Sequence, residues 1–116
     1  MNSILFEEKK SKFYGYMLSC ESEAEIKKAL EDLRKEHKKA THICYAYRLS
    51  SPFAEKAVDD GEPSGTAGRP ILNVLQKKDL KNVCVFVVRY FGGIKLGAGG
   101  LVRAYTKTTS LAVSQW

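Results

Sequence analysis

The sequence predicts an α+β domain over residues 1–116, a two-layer α/β sandwich whose sheet of about four strands carries three helices on one face. Three observations lead there. Apolar residues recur at helical spacing in three segments, alternate in one strand-like segment and run unbroken in another. These segments follow one another as strand, helix, strand, strand, helix, strand, helix, with no repeat, linker or low-complexity tract between them. A chain of 116 residues has room for one core and little more.

Each element has its own reason. KFYGYMLSC at 12–20 is rich in aromatic and apolar residues that suit a pleated surface, and is the first strand. Ser22 opens SEAE, a capping box in which Glu25 reaches back to the Ser22 amide. Ile26, Leu30 and Leu33 then mark a helix running to about His37. THICYAYRL at 41–49 alternates, with Ile43, Tyr45, Tyr47 and Leu49 on one face and His42, Cys44, Ala46 and Arg48 on the other. After an SSP turn, residues 53–58 suit a short return strand. Ile71, Val74, Leu75 and Lys78 outline a second helix to about Asp79, with Ser64 or Thr66 as its cap and Pro70 in its first turn, where amides lack partners anyway. VCVFVV at 83–88 reads as a central strand covered on both faces, its second face capped by aromatics or by a partner. Leu101, Ala104, Tyr105, Thr108, Leu111 and Ala112 outline a closing helix.

Composition narrows the class. With 44% hydrophobic and 28% charged residues the chain is of ordinary globular make-up. No apolar run approaches the ~20 residues of a membrane span, and MNSILFEEKK lacks the features of a secretory signal. A cytoplasmic protein with no membrane partner is expected. Cys20, Cys44 and Cys84 are odd in number and far apart, so buried free thiols are expected rather than a zinc or disulfide site. Net charge is +6, and residues 77–116 hold seven cations against Asp79 alone. That excess equals the whole chain's, and it suits nucleic acid or phosphate.

Two segments stand apart from core-building sequence. DDGEPSGTAGRP at 59–70 crowds three carboxylates, two hydroxyls and three glycines into a loop ahead of the second helix. Asp59, Asp60 and Glu62, with Ser64 and Thr66, suit either a divalent cation or local bonding to amides and to Arg69 or Arg89. The spacing matches no calcium loop, which favours local bonding, and no metal or cofactor is expected. RYFGGIKLGAGGLVRAY at 89–105 places Gly92, Gly93, Gly97, Gly99 and Gly100 between a central strand and a helix. Glycine permits close backbone approach, and a helix N-terminus gathers unpaired amides and partial positive charge. Neither nucleotide-binding glycine fingerprint is met, so the glycines also suit a tight turn alone. Arg69, Arg89, Lys95 and Arg103 are the expected anion contacts, with Tyr90 and Tyr105 as stacking groups and Phe91 as the alternative to Tyr90 in a shared cleft. The two segments serve one ligand only if both turns border a shared cleft. His42 and Cys44 lie two apart without an orienting partner, so no nucleophilic dyad is read from them, and His37 is assigned to its helix end.

KKSKF at 9–13, ATHICYAYRL at 40–49, DDGEPSGTAGRPIL at 59–72 and RYFGGIKLGAGGLVRAY at 89–105 together resemble the IMPACT/YigZ family, in family order and over nearly the whole chain. Val58 stands where the family usually shows Ser. The resemblance implies a fold like the second domain of the small-subunit ribosomal protein "S five", shared with elongation factor G and galactokinase-type kinases. It implies a role in translational control under stress, with RNA, the ribosome or a regulatory protein as partner. Eukaryotic members resemble competitors for the activator of a starvation-responsive initiation-factor kinase, and bacterial members imply nucleic-acid binding. The matched blocks fall in one domain of the family; bacterial members carry a further ferredoxin-like domain and eukaryotic ones an N-terminal partner-binding domain. The expected function is therefore a translation-associated binding module. The alternatives are an enzyme acting on a phosphorylated small molecule, with Asp59 or Asp60 holding magnesium, and a protein–protein adaptor using an uncovered sheet face. Nothing in the pattern specifies an oligomeric state.

Overall fold

The fold begins with a strand that its sequence barely advertises. In the computed structural model, which describes residues 1–115, β1 (Ser3–Glu8) pairs antiparallel with β2 (Ser11–Ser19). The turn between them is Lys9–Lys10, both left-handed, with φ of 47° and 66°. Two successive left-handed residues make the tight hairpin turn that Asn-Gly usually announces. A pair of lysines gives no such signal, and the expected sheet of about four strands gains a fifth at its edge.

The remaining elements are α1 (Glu23–Glu36), β3 (His42–Ser50), β4 (Phe53–Val58), α2 (Gly68–Lys77), β5 (Val83–Tyr90) and α3 (Gly97–Ser114). The strands form one sheet in the order β1-β2-β5-β3-β4, every neighbouring pair antiparallel. β5, the continuous apolar run, sits at the centre with all residues from Val83 to Arg89 buried. The α+β class is as the pattern predicts, but the helices divide between the faces. Val83, Val85 and Val87 pack with Ile71 and Leu75 of α2 and Leu101, Ala104 and Tyr105 of α3. Cys84, Phe86 and Val88 pack with Ile26, Ala29 and Leu33 of α1.

Three helices on one face thus become two on one and one on the other. The physical reason lies in β5: a strand apolar at every position needs a cover on each face, and α1 supplies the second. Burying Ile26 and Leu33 there contributes about 1.5–3 kcal/mol each. The capping box of α1 forms as expected, the Ser22 hydroxyl accepting from the Glu25 amide at 3.3 Å and Glu25 accepting from the Ser22 amide at 2.9 Å. The three cysteines are free and buried, and among the described residues no helix is long and apolar enough to cross a membrane.

Candidate functional site

The acidic segment is built around its own backbone. Asp59 accepts from the amides of Gly65 at 2.9 Å, Ala67 at 3.1 Å and Gly68 at 2.8 Å. It thereby satisfies the first amides of α2, whose N-terminal residue Ala67 has no side-chain cap of its own. Ser64 and Thr66 do not cap α2; the Thr66 hydroxyl donates to the Pro63 carbonyl instead. Burial works against the charged form of Asp59, but the Gly65, Gly68 and Ala67 amides outweigh it and hold the carboxyl below its ordinary value. Asp60 accepts from the Ile43 amide at 2.8 Å, clamping the loop to β3. Among the described residues no cluster of three or more His, Cys, Asp or Glu side chains converges for a metal.

Glu62 departs from this pattern. It is only 7% exposed, and Arg89, which donates to it at 2.7 Å, is 5% exposed. The Tyr105 hydroxyl donates to the same oxygen at 2.6 Å. The other oxygen faces His42 Nε2 at 3.4 Å, while His42 Nδ1 lies 2.7 Å from the Asp60 carbonyl, which can only accept. Beneath them the Cys44 sulfur lies 3.0 Å from the Asp59 carbonyl and 3.3 Å from the Tyr105 hydroxyl, and its single S–H donates to one of the two. Burial pushes this thiol upward and keeps it protonated. Arg89 also donates to the Ser11 hydroxyl at 3.2 Å, and its guanidinium lies between the rings of Phe13 and Phe91, at 5.4 and 5.5 Å from their centroids. Among the described residues its Nε has no hydrogen-bond partner, although it is buried.

This network floors a cleft of about 410 Å³ lined by Thr41, His42, Glu62, Pro63, Arg89, Phe91, Lys95, Leu96, Gly97, Ala98 and Leu101. Both unusual segments therefore border one opening, with Glu62 and Pro63 from the acidic loop and residues 95–98 from the glycine-rich one. Lys95 is exposed at its rim. α3 begins there, and its N-cap residue Leu96 offers no side-chain hydrogen bond to the first amides of the helix. Gly97, Gly99 and Gly100 lie in the first turn of α3 rather than in the preceding loop. Gly92 is a packing residue, since a Cβ there would lie 2.0 Å from the Lys10 carbonyl oxygen.

Other predicted residues lie elsewhere. Tyr105 is fully buried, so its ring belongs to the core and offers no stacking face; only its hydroxyl reaches the network. Tyr90 points to the opposite sheet face, where its hydroxyl meets His37 Nδ1 at 2.6 Å. His37 thus joins a Tyr16–His37–Tyr90 cluster beyond any role at its helix end. Arg103 borders a separate groove with Phe6, Lys9 and Lys107. Arg69 is exposed and, among the described residues, pairs with no carboxylate; Glu62 takes Arg89 instead. Of the two rings the glycine-rich segment offers for stacking in a cleft, Phe91 lines this one and Tyr90 does not; spacing did not reveal His42 as a cleft residue, although it shares the β3 face of Cys44.

Fold and site together define an α+β domain: a fully antiparallel sheet with helices on both faces, and a cleft with Lys95 at its rim above the paired Glu62 and Arg89. The Impact N-terminal domain profile matches residues 9–113, and the chain belongs to the IMPACT family. It is 51% identical over 102 residues to the IMPACT family member YvyE of Bacillus subtilis, covering 87% of this chain and 47% of that protein. It is 38% identical over 116 residues to the IMPACT family member YigZ of Escherichia coli, covering 97% of this chain and 57% of that one. The chain thus spans about half the length of these relatives. Among solved structures, the crystal structure of a hypothetical protein aligns with a TM-score of 0.93 at 38% identity, over 97% of this chain and 56% of that one. The two-domain translational regulator Yih1 aligns with a TM-score of 0.61 at 24% identity over 96% of this chain and 45% of its own, a likeness of fold.

Proposed function

We propose that this domain is a cytoplasmic binding module of translational control whose cleft takes the anionic backbone of RNA, most directly on the ribosome. The observation that carries it is the meeting of the two segments at one opening, where Lys95 and the uncapped start of α3 stand over a floor already neutralised by the Glu62–Arg89 pair. With that floor paired internally, the charge left to an incoming ligand is the positive charge of the rim. The translational setting is what family membership implies, and a translational regulator carries the same fold.

Two other readings find less support. Phosphoryl chemistry needs Asp59 or Asp60 to hold magnesium, yet Asp59 is taken by three amides and Asp60 by a fourth. An adaptor working through an uncovered sheet face loses that surface to α1.

Co-sedimentation with ribosomes across a salt series tests the proposal. Association should fall steeply as salt rises, and Lys95→Glu should abolish it while leaving thermal melting unchanged. Association that ignores both salt and Lys95→Glu would remove the cleft from consideration.

A further inference from the structure

Phe91 stands on a ridge between two clefts. One is the cleft above the Glu62–Arg89 pair; the other, of about 380 Å³, is lined by Lys10, Lys12, Tyr14, Tyr90 and Phe91. Register explains the second: Lys12 on β2 lies opposite Tyr90 on β5, so a cation and an aromatic ring emerge side by side, with Tyr14 two residues along. The Tyr14 and Tyr90 rings meet edge to face at 5.9 Å. Among the described residues no carboxylate lines this second cleft. Among the described residues, none of Lys10, Lys12 and Lys95 lies within ion-pair distance of a carboxylate.

Phe91, just past the end of β5, is 46% exposed, whereas Arg89 is buried and Tyr90 half-buried. Its amide donates to the Thr41 hydroxyl at 2.9 Å, and the guanidinium of Arg89 lies 5.5 Å from its ring centroid. The ring is therefore held in place on a cationic support. Among the described residues the Nε of that buried guanidinium has no partner of its own.

We infer that the two clefts form one track for single-stranded nucleic acid, with Phe91 stacking against an unpaired base. Phosphates flanking that base meet Lys10 and Lys12 on one side, and Lys95 with the start of α3 on the other. This rests on the RNA-binding reading above and narrows it to strands with free base faces. Interleaved cations and aromatic rings are the chemistry of single-strand recognition, because every base has a π-face and every linkage a phosphate. A duplex keeps its base faces stacked within itself, leaving a ring on a ridge nothing to meet. An acidic peptide would satisfy the lysines but leave the aromatic faces unused.

The test is fluorescence anisotropy on the whole chain at one fixed low salt. The probes are a labelled single-stranded oligouridylate, the same strand annealed to its complement, and oligoglutamate as competitor. The single strand should bind at least about tenfold tighter than the duplex. Phe91→Ala should weaken single-strand binding by about tenfold or more while moving duplex binding less than about twofold, and Phe91→Trp should retain it. Equal affinity for duplex and single strand, or indifference to Phe91→Ala with thermal melting intact, would overturn the track and leave the Lys95 cleft standing. Competition by oligoglutamate as strong as by unlabelled RNA would overturn it in favour of an acidic polypeptide. No binding to either nucleic acid would overturn the RNA reading and the track with it.

Discussion

Glu62 sits inside the protein with Arg89, Tyr105 and His42 gathered around its two oxygens, so its neighbours decide its cost. Glu62→Ala would leave the Arg89 guanidinium buried and unpaired, and should lower unfolding stability in urea by about 3–5 kcal/mol. Replacing both partners with apolar residues, Glu62→Leu with Arg89→Met, should recover much of that loss, because no isolated charge remains. Asp59 makes a different prediction. Its folded carboxyl lies below the ordinary value of 3.8, so its contribution is present above that value and disappears as pH falls through the folded one. Chemical denaturation of Asp59→Asn should show about 1 kcal/mol less stability at neutral pH. Its loss of stability on acidification below about pH 4 should also be shallower than that of the parent chain.

At the level of elements, β5 and α1 depend on each other. The strand offers Cys84, Phe86 and Val88 to one face, and the helix answers with Ile26, Ala29 and Leu33. Leu33→Ala should cost about 2–5 kcal/mol and expose that sheet face, measured as increased binding of a hydrophobic dye before the main unfolding transition. The β1–β2 hairpin depends in turn on Gly92, where a side chain would collide with the Lys10 backbone. Gly92→Ala should therefore destabilise the protein by about 1–3 kcal/mol. Because the shifted turn carries Lys10, the variant should also weaken oligouridylate binding in the anisotropy assay.

Across the whole molecule, charge is sorted by layer. α2 and α3 contribute Arg69, Lys77, Arg103 and Lys107 and no carboxylate, while the acids of the loop ahead of α2 are turned inward onto amides and Arg89. Inward-facing acids and outward-facing cations leave a field more positive on this side than the net +6 suggests. The salt dependence of RNA affinity should report this, with log K falling linearly in log salt. Lys95→Ala should reduce the slope by roughly one if that side chain meets a phosphate. Arg69→Ala, at a residue that lines neither cleft, should leave it unchanged.

The element types, the capping box at Ser22, the buried free thiols and the family were all legible in the residues, because each rests on local spacing or on the order of motifs along the chain. Period-two alternation announces a strand and SEAE announces a helix start wherever they occur. β1 escaped because its turn is closed by two lysines held left-handed by packing, which no local preference predicts. The sidedness of α1 escaped as well: the Val-rich run demanded a cover on each face, but any apolar helix could have met the demand. Only the tertiary structure decided that Arg89 and Tyr105 turn inward onto Glu62, that Tyr90 faces away from Lys95, and that Phe91 divides two clefts. Those are questions of which face and which neighbour. They are settled by packing across strands distant in sequence, where the burial of one charge depends on finding its partner 27 residues away.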